Sequence, residues 1–305
     1  MAKLVIGNNK TTGVPAVYRE LNKNKFGITI DNLIGNVDAN GVLGAPATLG
    51  SITLTGVRVV PTRTFDVMFW GAVFQPNSTF SAPDLMEVQG DTGDLAERGA
   101  FTDAFHGTTN LTTISMPNLT TIGEFGLDSA CKYSDVSAFN FASLQSVSSY
   151  GLYSTFESSK VVNASFPSLK TVYSRGCQGI FYGDTVLESA SFPELEEVGN
   201  YGFYNAFTGC SALSSLTFSK LKTIGNYGFS AAFRGGTSSL QTLSFPALET
   251  VGAYVFGNSN SSLAFTATSG ITEIHFPAAI QSDIEALYGY ANKFGAPNAT
   301  IYFDL

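Results

Sequence analysis

Apolar and polar positions alternate in short bursts that recur along the chain. They read LTTISM from Leu111, VSAFNF from Val136, VVNASF from Val161, LESASF from Leu187, LSSLTF from Leu213, LQTLSF from Leu240 and ITEIHF from Ile271. A period of two over such a run predicts a half-buried strand, with one face inward and the other outward. Anchor residues close the bursts at Pro83, Pro117, Ala142, Pro167, Pro193, Ser219, Pro246 and Pro277, spaced 34, 25, 25, 26, 26, 27 and 31 residues apart. A Leu lies two residues after six anchors (Leu119, Leu144, Leu169, Leu195, Leu221, Leu248), and a Val or Ile three beyond it (Ile122, Val147, Val172, Val198, Ile224, Val251). An aromatic pair four apart follows, as in Phe101 with Phe105, Phe203 with Phe207 and Phe229 with Phe233.

The unit is plainest in SFPELEEVGNYGFYNAFTGCSALSSLTF, from Ser191, which returns nearly verbatim as TFSKLKTIGNYGFSAAFRGGTSSLQTLSF from Thr217. Self-similarity at a fixed period is the mark of a repeat array. Gly199, Gly202 and Gly209 suit tight corners. One coil is therefore expected to run strand, corner, irregular return leg, corner. Burying some three large side chains per coil cannot offset the entropy of ordering two dozen backbones, so stability must come from coil stacked on coil. The predicted fold is a repeat solenoid, a right-handed stack of coils of about 25–27 residues with one parallel strand per coil.

The consensus LxxLxFPxLxxIGxYGFxxAFxGCxxL resembles the BspA-type leucine-rich repeat, whose turn reads IGxxAFxxCxxL. The likeness runs from about residue 77 to 305, although only Cys210 holds the family's Cys position and aromatics often replace Leu. It implies a curved solenoid used for adhesion or protein contact, with no catalytic residue to carry over.

The ends depart from the repeat. Residues 1–50 are expected to form a basic arm and a small β element, with Asn40-Gly41 as a hairpin turn, and to serve as an anchor or oligomerisation segment. Residues 51–305 form the solenoid, with a degenerate capping coil over 51–78 in which Pro61 takes the anchor position and Phe69–Val73 mimic Phe203–Phe207. Val88 to Phe101 spans 13 residues where Val198 to Phe203 spans 5, which predicts a protruding loop around GDTGDLAE. At the far end, Ile284, Leu287 and Tyr288 predict a helix over 280–292; with a last strand, ATIYFDL, it makes a cap over 277–305.

Charge refines this picture. The net charge is −8, yet Lys3, Lys10, Arg19, Lys23 and Lys25 against Glu20 give residues 1–30 a charge of +4 (5 − 1), leaving about −12 on the rest. A basic arm on an acidic body suggests an anchor, and an acidic body repels phosphate backbones, so nucleic acid is not an expected partner. The start MAKLVIGNNKTTG has no hydrophobic stretch of signal-peptide length. The longest apolar run, 67–74, is too short to span a bilayer, so no membrane insertion is expected. Cys131, Cys177 and Cys210 read as small buried apolar residues, the first two in the slots of Phe207 and Phe203.

Candidate chemistry is sparse, and no cofactor or metal is expected. Asp91-Thr92-Gly93 spells an aspartic-protease triplet but continues with Asp94 and lacks an apolar strand leading in. Asn36, Asp38, Asn40 and Gly41 imitate a calcium loop whose twelfth position is Ala47 instead of Glu. His106 and His275 are the only histidines, and Glu273 is the one carboxylate on a strand face, so paired acids for glycoside hydrolysis are lacking. Two surfaces are left. The outward strand positions are small and polar (Thr113 and Ser115, Asn163 and Ser165, Ser189 and Ser191, Ser215 and Thr217, Thr242 and Ser244), which makes a flat hydroxyl-rich sheet. A second stripe, Phe125, Tyr150, Tyr201, Tyr227 and Tyr254, is interrupted by Arg175; such a ladder stacks either on sugar rings or on itself.

Three readings from different classes remain to be weighed against these expectations. The first is a virion component of a tailed phage, its expected partners being other virion proteins and a host-surface glycan or protein, with homo-oligomerisation through the arm. The opening MAKLVIGNNKTTGVPAVYRE resembles structural proteins of phages of gut Bacteroidetes. The second is a bacterial cell-surface adhesin, or a carbohydrate-binding module using the tyrosine ladder. The third, a glycan hydrolase, is opposed by the missing carboxylate pair.

Overall fold

The computed structural model describes residues 48–90, 98–236, 239–257, 265 and 270–305, together with the backbone of three earlier strands, Leu4–Asn8, Val17–Leu21 and Ile28–Ile30. The arm residues Lys3, Lys10, Arg19, Lys23 and Lys25, the Asn40-Gly41 turn, the calcium-like run and the Asp91-Thr92-Gly93 triplet lie outside the described residues or side chains. Leu4–Asn8 pairs antiparallel with Val17–Leu21, and Ile28–Ile30 pairs antiparallel with Ile52–Leu54.

Each coil has three sides. The first is the alternating strand: Val73–Ser81, Thr109–Ser115, Ala138–Asn140, Asn163–Ser165, Ser189–Ser191, Ser215–Thr217, Thr242–Ser244, Glu273–Phe276 and Thr300–Phe303. These strands pair in parallel within three groups, broken after Asn140 and after Thr217. Their inward residues, among them Ile114, Ala164, Ala190, Leu216, Leu243 and Ile274, are buried.

The return path is not irregular, as the sequence suggests, but regular twice over. Just after the corner Leu, two-residue strands from Val59–Val60 through Glu87–Val88, Thr121–Ile122, Ser146–Val147, Thr171–Val172, Glu197–Val198 and Thr223–Ile224 to Thr250–Val251 form an eight-stranded parallel sheet. Glycine lets coils close up beside it: a Cβ on Gly225 would lie 2.7 Å from the backbone nitrogen of Asn200. Asparagine carries the polar load there, Asn200 Oδ1 accepting from the N–H of Asn226 (2.8 Å) and Asn226 Oδ1 from that of Ala253 (2.7 Å).

The third side is a staircase of turns. Leu127, Ser129, Cys131 and Tyr133 donate their N–H groups to carbonyls of the next coil at 2.8–2.9 Å, while Asp128, Ala130 and Lys132 donate three residues back at 3.2 Å. Every backbone donor along this stretch thus finds a partner without forming a helix. The cost is a left-handed residue at every fourth step, such as Phe125, Ser129 and Tyr133 at φ 54°, 52° and 56°.

Inward side chains of the staircase make two core columns. One is Phe65, Phe101, Leu127, Leu152, Cys177, Phe203, Phe229 and Phe256; the other is Phe69, Phe105, Cys131, Phe156, Phe181, Phe207, Phe233 and Phe265, all no more than 2% exposed. Rings stack coil on coil, with Phe203 5.3 Å from Phe229 and Phe207 5.7 Å from Phe233. Cys177 and Cys131 fill phenylalanine slots, as expected, and all three cysteines are buried free thiols.

Two details of the first coil differ from expectation. Ile52 pairs with Phe80 and Val59 with Glu87, so Thr55 stands opposite Pro83, and Pro61 falls past the second strand instead of at the anchor. Phe65 and Phe69 stack on Phe101 (4.7 Å) and Phe105 (5.3 Å), so Phe69 is the second member of its pair, not the first. The C-terminal helix is also shorter than the 280–292 expected. A 3-10 turn, Ala278–Ile280, leads into one α-helix, Gln281–Glu285. Gly289 (φ 89°) ends the run, and a 3-10 segment, Tyr290–Gly295, turns Phe294 under the core, 5.0 Å from Phe256. The pull of a buried aromatic decides the path against helical spacing. The last strand, Thr300–Phe303, adds in parallel to Glu273–Phe276.

Candidate functional site

The first side of each coil, a wall of alternating strands, brings the predicted polar residues together in part. Asn163 and Ser165 stand in register with Ser189 and Ser191, and these with Ser215 and Thr217, across three bonded strands. Ser189 Oγ donates to Asn163 Oδ1 at 2.6 Å. Thr113 and Ser115 lie in the preceding group beside Ala138 and Asn140, and Thr242 and Ser244 in the following one beside Glu273 and His275. All these positions are exposed or half-buried.

The aromatic stripe is a continuous stack. Phe125 lies 4.8 Å from Tyr150, Tyr201 4.7 Å from Tyr227, and Tyr227 5.1 Å from Tyr254, each pair within 9° of parallel. Arg175 does not interrupt it: its guanidinium sits 5.7 Å from the Tyr150 ring centre and 4.3 Å from that of Tyr201, a cation between two ring faces. The ring faces inside the stack are covered by their neighbours, so only edges meet solvent, and a sugar has no open face within the stack. The ladder residues Phe125, Tyr150, Arg175, Tyr201, Tyr227 and Tyr254 all adopt positive φ, 54–58°.

Buried acids are the feature the repeat pattern hides. Asp184 occupies the slot that Cys210 holds one coil later, since each donates its N–H to the phenylalanine three residues back, Phe181 and Phe207. Its fully buried carboxylate accepts from Ser159 Oγ (3.0 Å), the Val161 N–H (3.1 Å) and the Val186 N–H (3.3 Å). Burial outweighs these bonds and pushes its pKa to about 7. Asp128 is likewise raised to about 7 by burial, with the charge of Asp103 adding to it and Ser129 (2.8 Å) opposing it. Burial raises the thiol of Cys210 as well, whose Sγ lies 3.1 Å from the Phe181 carbonyl. The signal in the sequence is a carboxylate at a position where other coils carry Thr108, Ser134, Ser159 and Cys210.

The histidines are held by neighbours. His106 Nδ1 lies 3.1 Å from Asp103 and its ring stacks on Trp70 at 3.8 Å. His275 Nδ1 lies 2.9 Å from Asp304, its Nε2 3.5 Å from Glu273, and its ring 4.7 Å from Tyr302. Asp304 joins this group because the last strand returns beside the sheet. Among the described residues there is no group of three or more His, Cys, Asp or Glu able to hold a metal ion, and no helix long and apolar enough to cross a membrane.

The comparison with protein families decides the fold's kinship. The model of the BspA-type leucine-rich repeat region matches six copies over residues 101–206 and 177–288, more than half of the chain. The chain belongs to the BspA-type leucine-rich repeat family. Among solved structures, a leucine-rich repeat protein of T. pallidum is similar at 15% identity over 82% of this chain and 92% of that one, with a TM-score of 0.41. One from Bacteroides ovatus matches at 15% identity over 90% and 98%, TM-score 0.28, and the pneumococcal vaccine antigen PcpA at 13% over 82% and 85%, TM-score 0.24. No curated protein sequence matches. In BspA-type terms, Cys210 stands at the family cysteine and Asp184 replaces it one coil earlier.

Proposed function

We propose that the protein is a non-enzymatic adhesion or structural protein that holds a partner against its strand wall. One observation carries this reading: six small polar side chains, Asn163, Ser165, Ser189, Ser191, Ser215 and Thr217, stand in register on three bonded strands and face outward. Short side chains on a rigid sheet lose little rotamer freedom when a partner docks, so a contact of many modest hydrogen bonds keeps more of its energy. Membership of the BspA-type family supports a contact role.

The finer proposal, a phage virion component anchored by residues 1–50 and touching other virion proteins or the host surface, rests on the charge asymmetry and the opening twenty residues. The cell-surface adhesin is the second reading, and family membership favours it. Two variants separate the questions. Ser189→Arg with Ser215→Arg puts bulk and charge on the wall and should cut binding to whole host cells by about tenfold with circular dichroism unchanged; undiminished binding refutes the wall as the contact surface. Deleting residues 1–50 should leave a folded monomer that no longer enters particles, and normal incorporation refutes the anchoring role.

A further inference from the structure

At one step of the staircase, Val67, Asp103, Ser129, Ser154, Asn205 and Ala231 carry side chains at φ 46–56°. Gly179, at φ 63°, takes the same step in the coil between Ser154 and Asn205, since Ser154 donates to the carbonyl of Gln178 and Gly179 to that of Tyr204. Six other coils show that this backbone conformation does not demand glycine. What the missing side chain supplies is space: a Cβ on Gly179 would project to 3.1 Å from Ser154 Oγ. The space is a half-open cleft of about 180 Å³, walled by Tyr153 and Glu157 of the preceding coil, Tyr182 of its own and Asn205 of the next.

The lining is polar, oriented and close to neutral. Where the flanking coils carry Tyr153 and Tyr204, this one carries Gln178, whose Oε1 accepts from Arg175 Nη1 (2.9 Å), so the amide nitrogen is left as a donor. Glu157 is balanced by Lys132 (2.9 Å) and bonded by the Tyr133 hydroxyl (3.2 Å), both at Oε1. Tyr182 offers an exposed ring that, among the described residues, no stacked neighbour covers in the manner of the ladder. A donor at Gln178 and an acceptor at Glu157 beside an open aromatic face suit a ring that presents hydroxyls at its edge and C–H groups on its face. A peptide would look for an apolar anchor pocket, which this lining lacks. A free anion would meet a carboxylate.

We propose that this cleft binds one pyranose ring of a neutral glycan. The cleft lies on the turn leg and not on the strand wall, so this proposal and the wall contact stand or fall separately. The test is saturation-transfer NMR on the full chain with methyl glucoside, galactoside, mannoside and N-acetylglucosaminide, against glucuronate and trialanine. Transfer to at least one neutral glycoside is expected, and Gly179→Ser, which refills the cleft with a residue the neighbouring coil tolerates, should weaken it about tenfold. Tyr182→Ala, at an exposed position that spares the core, should do the same and serves if Gly179→Ser folds poorly. No transfer to any neutral glycoside, transfer that survives both variants, or preferential binding of glucuronate or trialanine overturns the proposal.

Discussion

The buried phenylalanine columns and the exposed tyrosine ladder run along the same staircase with the same period and nearly the same stacking. Phe203 and Phe229 are 5.3 Å apart and 15° from parallel; Tyr201 and Tyr227 are 4.7 Å apart and 7° from parallel. They differ in what holds them. The phenylalanines point inward, are fully buried and pack edge-on against Phe218 (5.9 and 5.2 Å), the residue just past the strand Ser215–Thr217, so burial alone justifies them. The tyrosines are half-exposed and sit at a left-handed step where glycine would be less strained. Ring stacking in a solenoid is thus a by-product of the repeat, and only the burial behind it makes one stack a core.

This contrast is open to direct attack. The largest effect is expected at Phe229, which lies between Phe203 and Phe256 and against Phe218 and Phe245. Phe229→Ala should cost about 3–5 kcal/mol, since it removes a large buried side chain from a stack too rigid to collapse. Urea denaturation measures it; a loss below about 1 kcal/mol would show that the columns are not the main source of stability.

The second test uses the acid set among the columns. The Asp184 carboxyl has a folded pKa of about 7 against an ordinary value of 3.8. Between those values the folded chain keeps a proton that the unfolded chain has released, so this contribution is complete below about pH 4 and is lost as pH rises through 7. Asp128 acts in the same direction. Asp184→Asn should therefore flatten the fall in stability between about pH 4 and pH 7, by up to a few kcal/mol. An equally steep fall in the variant would mean that the three donors, not burial, govern this carboxylate.

How far these features were legible follows from what encodes them. The strands, their outward hydroxyls and the phenylalanine slots, including those of Cys131 and Cys177, are written in side-chain periodicity, and the structure keeps them. The staircase is written in backbone bonding, and its left-handed steps accept Tyr150, Ser154, Asn205 and Ala231 alike, so no residue type announces it. Pro61 misleads because a proline after an apolar run looks like an anchor, whereas the pairing of Val59 with Glu87 sets the register. Helical spacing after Ile280 misleads because Phe294 is worth more buried than in a continued helix. Arg175 looks like a gap until its guanidinium is seen between two rings. Gly179 is visible only by comparison with the same step in other coils.

The smallest expected effect discriminates best between the two stacks. Tyr227 lies between Tyr201 and Tyr254 at φ 58°, so replacing it removes two ring contacts but changes little burial. Tyr227→Ala loses the stacking, about 0.5–1.5 kcal/mol per pair, and keeps the strain of a Cβ in the left-handed region. Tyr227→Gly loses the same contacts and sheds that strain. If the ladder is a surface ornament of the repeat, the glycine variant should be the more stable of the two by about 1 kcal/mol in urea denaturation, and Tyr227→Phe should match the parent. If alanine equals or exceeds glycine, the backbone step is not strained and the tyrosines need no compensating role; the same pair of substitutions at Phe229, where burial rules, should show no such gap in favour of glycine.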